Sequence, residues 1–135
     1  MIDVRQTNEL TPRELVTIFK ERTSVFVVEQ TCYYQEVDDE DYQCFHVRIL
    51  DDRTNELMAY ARIMPKKDSV TFGRVLVVEK FRRQGLGSQL LKAVLDYIST
   101  HFPGLDVEIE AQAYLTKFYS SFGFKQTSEI YLLDN

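Results

Sequence analysis

Residues 75–91, VLVVEKFRRQGLGSQLL, combine an apolar run, two arginines, a Gly-Leu-Gly turn and an amphipathic segment. This pattern predicts a strand, a tight turn and a helix, and the free amides in the first turn of a helix favour an anion. Gly85 and Gly87 let a phosphate approach the backbone, because neither carries a Cβ. Arg82 and Arg83 add charge-assisted hydrogen-bond donors. The segment therefore indicates an anion site suited to phosphate.

Two common phosphate motifs do not fit this turn. A mononucleotide P-loop requires G-x-x-x-x-G-K-[ST], which the chain lacks. A dinucleotide fingerprint requires a third glycine where this chain has Leu90. The competing interpretation is a purely structural turn, in which the glycines serve backbone geometry and the arginines are solvated.

The composition is that of an ordinary globular protein, with 135 residues, 44% hydrophobic and 27% charged. We expect one domain over residues 1–135. The net charge of −5 argues against broad binding to nucleic acid. No apolar run reaches the ~20 residues that cross a membrane, and the N-terminus lacks an export pattern. Cys32 and Cys44 are too few for a disulfide framework, so we expect reduced thiols in a cytoplasmic protein.

Periodicity and turn residues predict the elements that must position this turn. A helix begins after Thr11, which forms a T-x-x-E capping box with Glu14, and a second helix begins at Leu86. A third helix is predicted in YLTKFYSSF, and an acidic loop over residues 31–43. Strands are predicted in the segments IDVRQT, CFHVRIL, LMAYARIM, VTFGRVLVV, LDVEIEA and FKQTSEIYLL. The order βα-βββ-αβ-αβ predicts an α/β fold of the α+β type, a mixed sheet flanked by helices.

Two motifs of a known family, and four segments of one of its subgroups, have counterparts in this sequence. The arrangement R-x-x-G-x-G in residues 82–87 resembles the pyrophosphate loop of the GCN5-related N-acetyltransferase (GNAT) superfamily, and YLTKFYSSFGF resembles that family's A-x-x-(F/L)-Y-x-x-x-G-F segment. The segments RTSVFVVEQ, YARI, FGRV and AQAYLTKFYSSFGF are similar to the ElaA-like subgroup. The resemblance covers nearly the whole chain and implies a mostly antiparallel GNAT sheet.

The resemblance implies a site for acetyl-CoA, used as a co-substrate without a metal. In this family one strand splays away from its neighbour, and the pantetheine arm lies in the gap. The main chain of Val75, Leu76 and Val77 would pair with the pantetheine amides, and Gln112 falls where many relatives carry a cofactor-binding asparagine. The pyrophosphate would be held by the turn and the first helical residues, namely Arg82, Arg83, Gln84, Gly85, Leu86, Gly87 and Ser88.

The resemblance also implies catalytic roles. Tyr119 matches the family's general acid, which protonates the departing thiolate; a phenol with a pKa near ~10 can protonate a thiolate whose thiol has a pKa near ~8.5. From spacing alone, a core tyrosine on an aromatic helix stripe is the favoured interpretation of Tyr119, and the motif match reverses that preference. The general base is expected to be Glu29, with Glu110 as the second candidate and His46 as a further one. The expected reaction is direct attack of a primary amine on the thioester, with a strand amide near Val77 stabilising the oxyanion.

Other features allow competing interpretations. The acidic run in residues 36–41 could attract a cationic amine, but a solvated loop is the simpler interpretation. Cys44 and His46 alternate on one strand, yet two cysteines and two histidines are too few to favour zinc or a thiol nucleophile. Two competing functions are a non-catalytic CoA-binding or sensing domain and, more weakly, a nucleotide-binding interaction module. The acceptor is expected to be a small-molecule or peptide amine.

The C-terminus is predicted to depart from the family pattern. GNAT relatives usually end with a further strand inserted beside the fifth, whereas this chain stops at Asn135 after a segment interpreted as one strand. The usual final strand is therefore expected to be missing. The exposed sheet edge would then favour a homodimer.

Overall fold

The computed structural model describes residues 1–110, 124–127 and 130–133, with side chains up to residue 109. Within these residues, seven strands form one sheet: β1 Ile2–Gln6, β2 Phe45–Leu50, β3 Leu57–Pro65, β4 Ser69–Val77, β5 Asp106–Glu110, β6 Phe124–Thr127 and β7 Ile130–Leu133. The described residues also form two longer helices, α1 Pro12–Thr23 and α2 Leu86–His101, while the helix predicted in YLTKFYSSF lies outside the described residues. Shorter helical segments are the 3-10 turns Thr7–Glu9, Asp39–Tyr42 and Glu79–Phe81, and the π-helix Ser24–Glu29.

The sheet order is β1-β2-β3-β4-β5-β7-β6. Among the described strands, only the β4–β5 pair is parallel, and the crossover between these strands contains α2. The expected mixed, mostly antiparallel sheet with helices is therefore confirmed. Within the described ranges, no helix is both long and apolar enough to span a membrane.

The two faces of the sheet carry different cores. One face packs the apolar stripe of α2 against alternate residues of β2 and β3, and this core includes Leu90, Val94, Ala61 and Ile63. The opposite face packs α1 through Ile18 against Tyr60 and other apolar side chains. Helix α1 begins as predicted, because the Thr11 hydroxyl accepts a hydrogen bond from the Glu14 amide at 3.1 Å and the Glu14 carboxylate accepts one from the Thr11 amide.

The C-terminal strand prediction was wrong. The segment FKQTSEIYLL forms two short antiparallel strands, since Thr127 pairs with Ile130, and β7 lies between β5 and β6. The segment contains no glycine or proline that would mark a turn between two strands. Two-residue connections are nevertheless common in β-hairpins. The final strand is therefore present, and β7 covers the edge of β5 that was expected to be exposed. The reason given for a homodimer is removed.

The α1 face of the sheet buries polar groups as well as apolar ones. His46 is completely buried, and its Nδ1 lies 2.6 Å from the Tyr60 hydroxyl while its Nε2 lies 2.8 Å from the Thr7 hydroxyl. Because the Thr7 hydroxyl donates to the Asp41 carbonyl, it accepts from the His46 Nε2–H, and Tyr60 donates to Nδ1. These contacts fit a neutral imidazole, and burial lowers the pKa of His46 to about 4.

This burial predicts a pH-dependent stability. Between pH 7 and pH 5 the unfolded His46 takes up a proton that the folded protein excludes, so stability falls as the pH falls. The free energy of unfolding should decrease by about 2 kcal/mol over that interval. Urea denaturation at both pH values measures it. His46→Gln should abolish this contribution even if overall stability is lower, whereas His101→Gln, which removes the exposed histidine, should retain it; equal pH dependence in wild type and His46→Gln would contradict the prediction.

Candidate cofactor and active site

Strand β4 contains a β-bulge. Gly73 and Phe72 pair with Arg62 and Ile63, but nearer the end of the strand Leu76 pairs with Tyr60, so β4 holds one extra residue. Arg74 lies within this bulge, and its φ of 53° is in the left-handed region. Bulges bend a strand and increase its local twist. The bend therefore changes the direction of β4 immediately before residues 75–77.

Beyond the bulge, β4 separates from its parallel neighbour. Strand β5 pairs with β4 only from Ser69 to Phe72. Among the described residues, no strand pairs with residues 73–77 on that side of β4. Backbone amides and carbonyls along such an edge require hydrogen-bonding partners, which an extended amide-containing ligand can supply. The gap has the form that the resemblance implied for Val75, Leu76 and Val77.

The turn after β4 leads into the N-terminus of α2. Gly85 is the N-cap of α2 with a φ of 76°, and Arg83 also has a positive φ of 67°. Gly85 provides no side-chain cap, so the amides in the first turn have no capping oxygen from the N-cap residue. Gln84, Gly85 and Ser88 are exposed, while Leu86 is buried in the core with α2. The residues present fit an anion held by backbone amides.

Two residues predicted to have separate roles lie in contact. The guanidinium of Arg82 donates through Nε to the Val77 carbonyl at 2.9 Å, and through a terminal nitrogen to both carboxylate oxygens of Glu29 at 3.0 and 3.2 Å. Glu29 ends the π-helix Ser24–Glu29. Glu29, the candidate base, is therefore linked to the end of β4 through Arg82, the candidate phosphate-binding arginine.

Two other candidate residues, His46 and Cys44, are buried inside the fold. Complete burial and hydrogen bonds at both ring nitrogens remove His46 from contact with a substrate. Burial raises the pKa of the Cys44 thiol to about 12, so this thiol is protonated and inert as a nucleophile. No group of three or more His, Cys, Asp or Glu side chains suited to a metal occurs within the described residues. Gln112, Tyr119 and the side chain of Glu110 lie outside the described part of the structure.

The acidic loop is not simply a solvated segment, as its composition had suggested. Three of its carboxylates pair with arginines from the rest of the fold and form the buried arginine network, which consists of Arg22, Glu36, Asp38, Asp41, Arg62 and Arg74. Arg22 is completely buried and contacts Glu36 at 2.7 Å and Asp41 at 2.6 Å. Burial opposes the charge on Asp41, but hydrogen bonds from Arg22 outweigh it and lower the pKa of this carboxyl.

Sequence reasoning missed the arginines of this network as functional candidates. Arg22, Arg62 and Arg74 belong to the motif segments RTSVFVVEQ, YARI and FGRV, each of which places one arginine beside apolar residues. Isolated arginines at buried positions require carboxylate partners. Together with the acidic run, that requirement was a signal that could have predicted the pairing.

Comparison with known proteins agrees with this geometry. Residues 7–134 match the sequence model of the acetyltransferase (GNAT) domain. Protein ElaA of Escherichia coli is 40% identical over 127 residues, which covers 92% of this chain and 83% of that protein. The crystal structure of E. coli ElaA superimposes with a TM-score of 0.92 at 33% identity, covering 99% of both chains.

A second solved structure is similar to the same extent. The crystal structure of an acyl-CoA N-acyltransferase from Pseudomonas aeruginosa has a TM-score of 0.91 at 32% identity, and the match covers 99% of both chains. The family match, the relative at 40% identity and the two superimposed crystal structures agree with one another. The chain belongs to the GNAT family of acetyltransferases and is an N-acetyltransferase.

Proposed function

We propose that this protein transfers the acetyl group of acetyl-CoA to a primary amine by direct attack within a ternary complex. The observation that carries the proposal is the edge of β4 beyond Phe72, with which no described strand pairs on the side of β5 and which is followed by the turn to the N-terminus of α2. The edge of β4 suits an extended amide chain, and the N-terminus of α2 suits a diphosphate, so the two together form a path for one ligand. Coenzyme A carries both groups in that order.

This path fixes the direction of the coenzyme. With the diphosphate at the amides of residues 83–88, the pantetheine arm runs back along β4 from Val77 to Val75. The thioester then lies near the bulge at Arg74. Backbone amides of β4 at this end, near Val75 rather than near Val77 as the sequence had suggested, would stabilise the oxyanion that forms when the amine attacks the carbonyl carbon.

Proton transfer completes the proposed reaction. The neutral amine attacks, the carbon–sulfur bond breaks, and Tyr119 protonates the departing thiolate. Glu29 is the first candidate to accept the amine proton and Glu110 is the second; because its contact with Arg82 places Glu29 towards the diphosphate end of the path, it would accept this proton through intervening water. A diphosphate at residues 83–88 would compete with Glu29 for the Arg82 guanidinium, because both are anions within the same region. Binding of the coenzyme would then release the Glu29 carboxylate for proton transfer.

Direct transfer is favoured over a covalent acetyl-enzyme. Cys44 is 1% exposed, and burial holds its thiol in the protonated form. The kinetic consequence is a requirement for both substrates before coenzyme A is released. Initial rates measured at several fixed amine concentrations should give intersecting double-reciprocal lines; parallel lines would indicate an acetyl-enzyme.

The general test combines binding and turnover. Isothermal titration calorimetry with acetyl-CoA measures the first step without an acceptor. A free-thiol assay with spermidine, L-lysine, tyramine and a hexapeptide with a free N-terminus measures transfer. Heat of binding together with amine-dependent thiol release would support the proposal, and the absence of both would contradict it.

Ser88 gives a matched pair of variants for the diphosphate site. It is exposed in the first turn of α2, where an acidic side chain stabilises the helix but repels a bound diphosphate. Ser88→Asp should weaken acetyl-CoA binding at least about tenfold, which is about 1.4 kcal/mol, without lowering the melting temperature. Ser88→Ala keeps the backbone amide and should bind nearly as wild type does. Calorimetry distinguishes the two, and equal affinity of both variants would place the diphosphate elsewhere.

Tyr119 is tested by removing only its hydroxyl. Tyr119→Phe should lower kcat for thiol release by about 10²-fold, the smaller end of typical general acid contributions, while the dissociation constant of acetyl-CoA changes little. Tyr114→Phe, in the same sequence segment, is the matched control and should retain activity. Unchanged thiol release in Tyr119→Phe would exclude the assigned acid role.

A further inference from the structure

We propose that Arg74 is a positioning residue, which joins the acidic loop to β4 and so sets the acceptor amine against the thioester. The inference rests on the proposed path of acetyl-CoA along β4. Arg74 is not part of the glycine turn, and it is not one of the residues expected to act as acid or base. The inference also assigns the acidic loop a role as one wall of the acceptor cleft.

The contacts of Arg74 reach three residues of the loop. Its Nε lies 2.6 Å from Glu36 Oε1, an ion pair without hydrogen-bond alignment, and a terminal nitrogen donates to the Glu36 carbonyl at 3.2 Å. The same nitrogen lies 3.6 Å from Asp38 Oδ2. The guanidinium also covers the ring of Tyr34, at 5.3 Å from the ring centroid. One side chain therefore contacts the backbone of Glu36 and the side chains of Tyr34, Glu36 and Asp38.

The backbone of Arg74 supports a role for its side chain. A φ of 53° is costly for a residue with a Cβ, and glycine would occupy this position in the bulge with less strain. The contacts of the guanidinium with Glu36 and Tyr34 offset that cost. The same bulge directs β4 away from β5, so the loop is attached where the proposed coenzyme gap opens.

The other two arginines of the buried arginine network have a different environment. Arg22 is completely buried and Arg62 is 4% exposed, and both contact Asp41. The side chain of Arg74 is 22% exposed, so it lies at the boundary between the network and solvent. Arg22 and Arg62 thus anchor the loop from inside the fold, while Arg74 holds the part of the loop that borders β4.

The position of the thioester explains why this contact would matter for the acceptor. The coenzyme arm runs from Val77 towards Val75, and Arg74 is the next residue of the strand. Tyr34 and Glu36 are therefore held beside the end of the arm that carries the acetyl group. Displacement of these residues would change where an amine can approach, whereas the diphosphate at residues 83–88 would be unaffected. Small displacements of a reacting group have large effects on rate.

Two substitutions separate the contributions of Arg74. Arg74→Gly removes the side chain and suits the positive φ, so the backbone is retained. Arg74→Lys keeps the charge but loses the planar fork that reaches both Glu36 and Asp38. Arg48→Ala is the matched control, because Arg48 is a buried arginine that pairs with Asp3 and Glu14 rather than with the loop or β4.

The kinetic measurement uses the amine of the panel with the highest kcat/KM. In Arg74→Gly the KM for this amine should rise on the order of tenfold, with Arg74→Lys intermediate, while the dissociation constant of acetyl-CoA changes less than about threefold. Arg48→Ala should lower stability without raising the KM for the amine. An unchanged KM in Arg74→Gly, or the same rise in Arg48→Ala, would overturn the inference.

Amide hydrogen exchange tests the inference without an acceptor. Exchange in residues 33–42 should accelerate in Arg74→Gly but not in Arg48→Ala, and exchange in α2 should be unchanged. Unchanged exchange in the loop would overturn the inference whatever the activity. If the wild-type protein binds no acetyl-CoA and releases no thiol with any amine, the proposed function fails instead, and so does the role assigned to Arg74.

Discussion

The neutralisation of buried charge is the constraint on which this structure most depends. Removing the carboxylate partners of the completely buried Arg22 guanidinium would lower the free energy of unfolding by several kcal/mol. Those partners come from a loop that lies between the π-helix Ser24–Glu29 and β2, and this loop contains only one short 3-10 turn. The ion pairs therefore give this part of the chain a fixed position on the α1 face of the sheet. Regular secondary structure alone would not do so.

Strand β4 combines two requirements that are usually met by different elements. Its first half, Ser69 to Phe72, pairs on both sides and belongs to the core of the sheet. Its second half keeps the pairing with β3 but has no described partner on the side of β5. The bulge at Arg74 marks the change from one environment to the other. A single extra residue thus separates a structural segment from one available to a ligand.

The elements that could be predicted from the sequence are those specified by local chemistry. The capping box of Thr11 and Glu14, the glycine turn at Gly85 and the amphipathic stripe of α2 depend on residues close in sequence. The order of β7 and β6 could not be read in this way, because strand pairing joins distant residues and the connecting segment has no strong turn signal. The Arg22–Asp41 pair likewise joins residues 19 positions apart. The acidic run and the isolated arginines indicate that such pairs form, but the sequence alone does not assign which arginine meets which carboxylate.

The contact between Arg82 and Glu29 has a thermodynamic consequence for the affinity of the coenzyme. Both side chains are well exposed, at 40% and 36%, so their ion pair contributes little stability on its own. If Arg82 turns to a diphosphate, one exposed ion pair replaces another, and the number of neutralised anions is the same. Such an exchange adds little net binding energy and depends only weakly on ionic strength. The affinity for a diphosphate at this turn would therefore come less from Arg82 than from the backbone amides and Arg83.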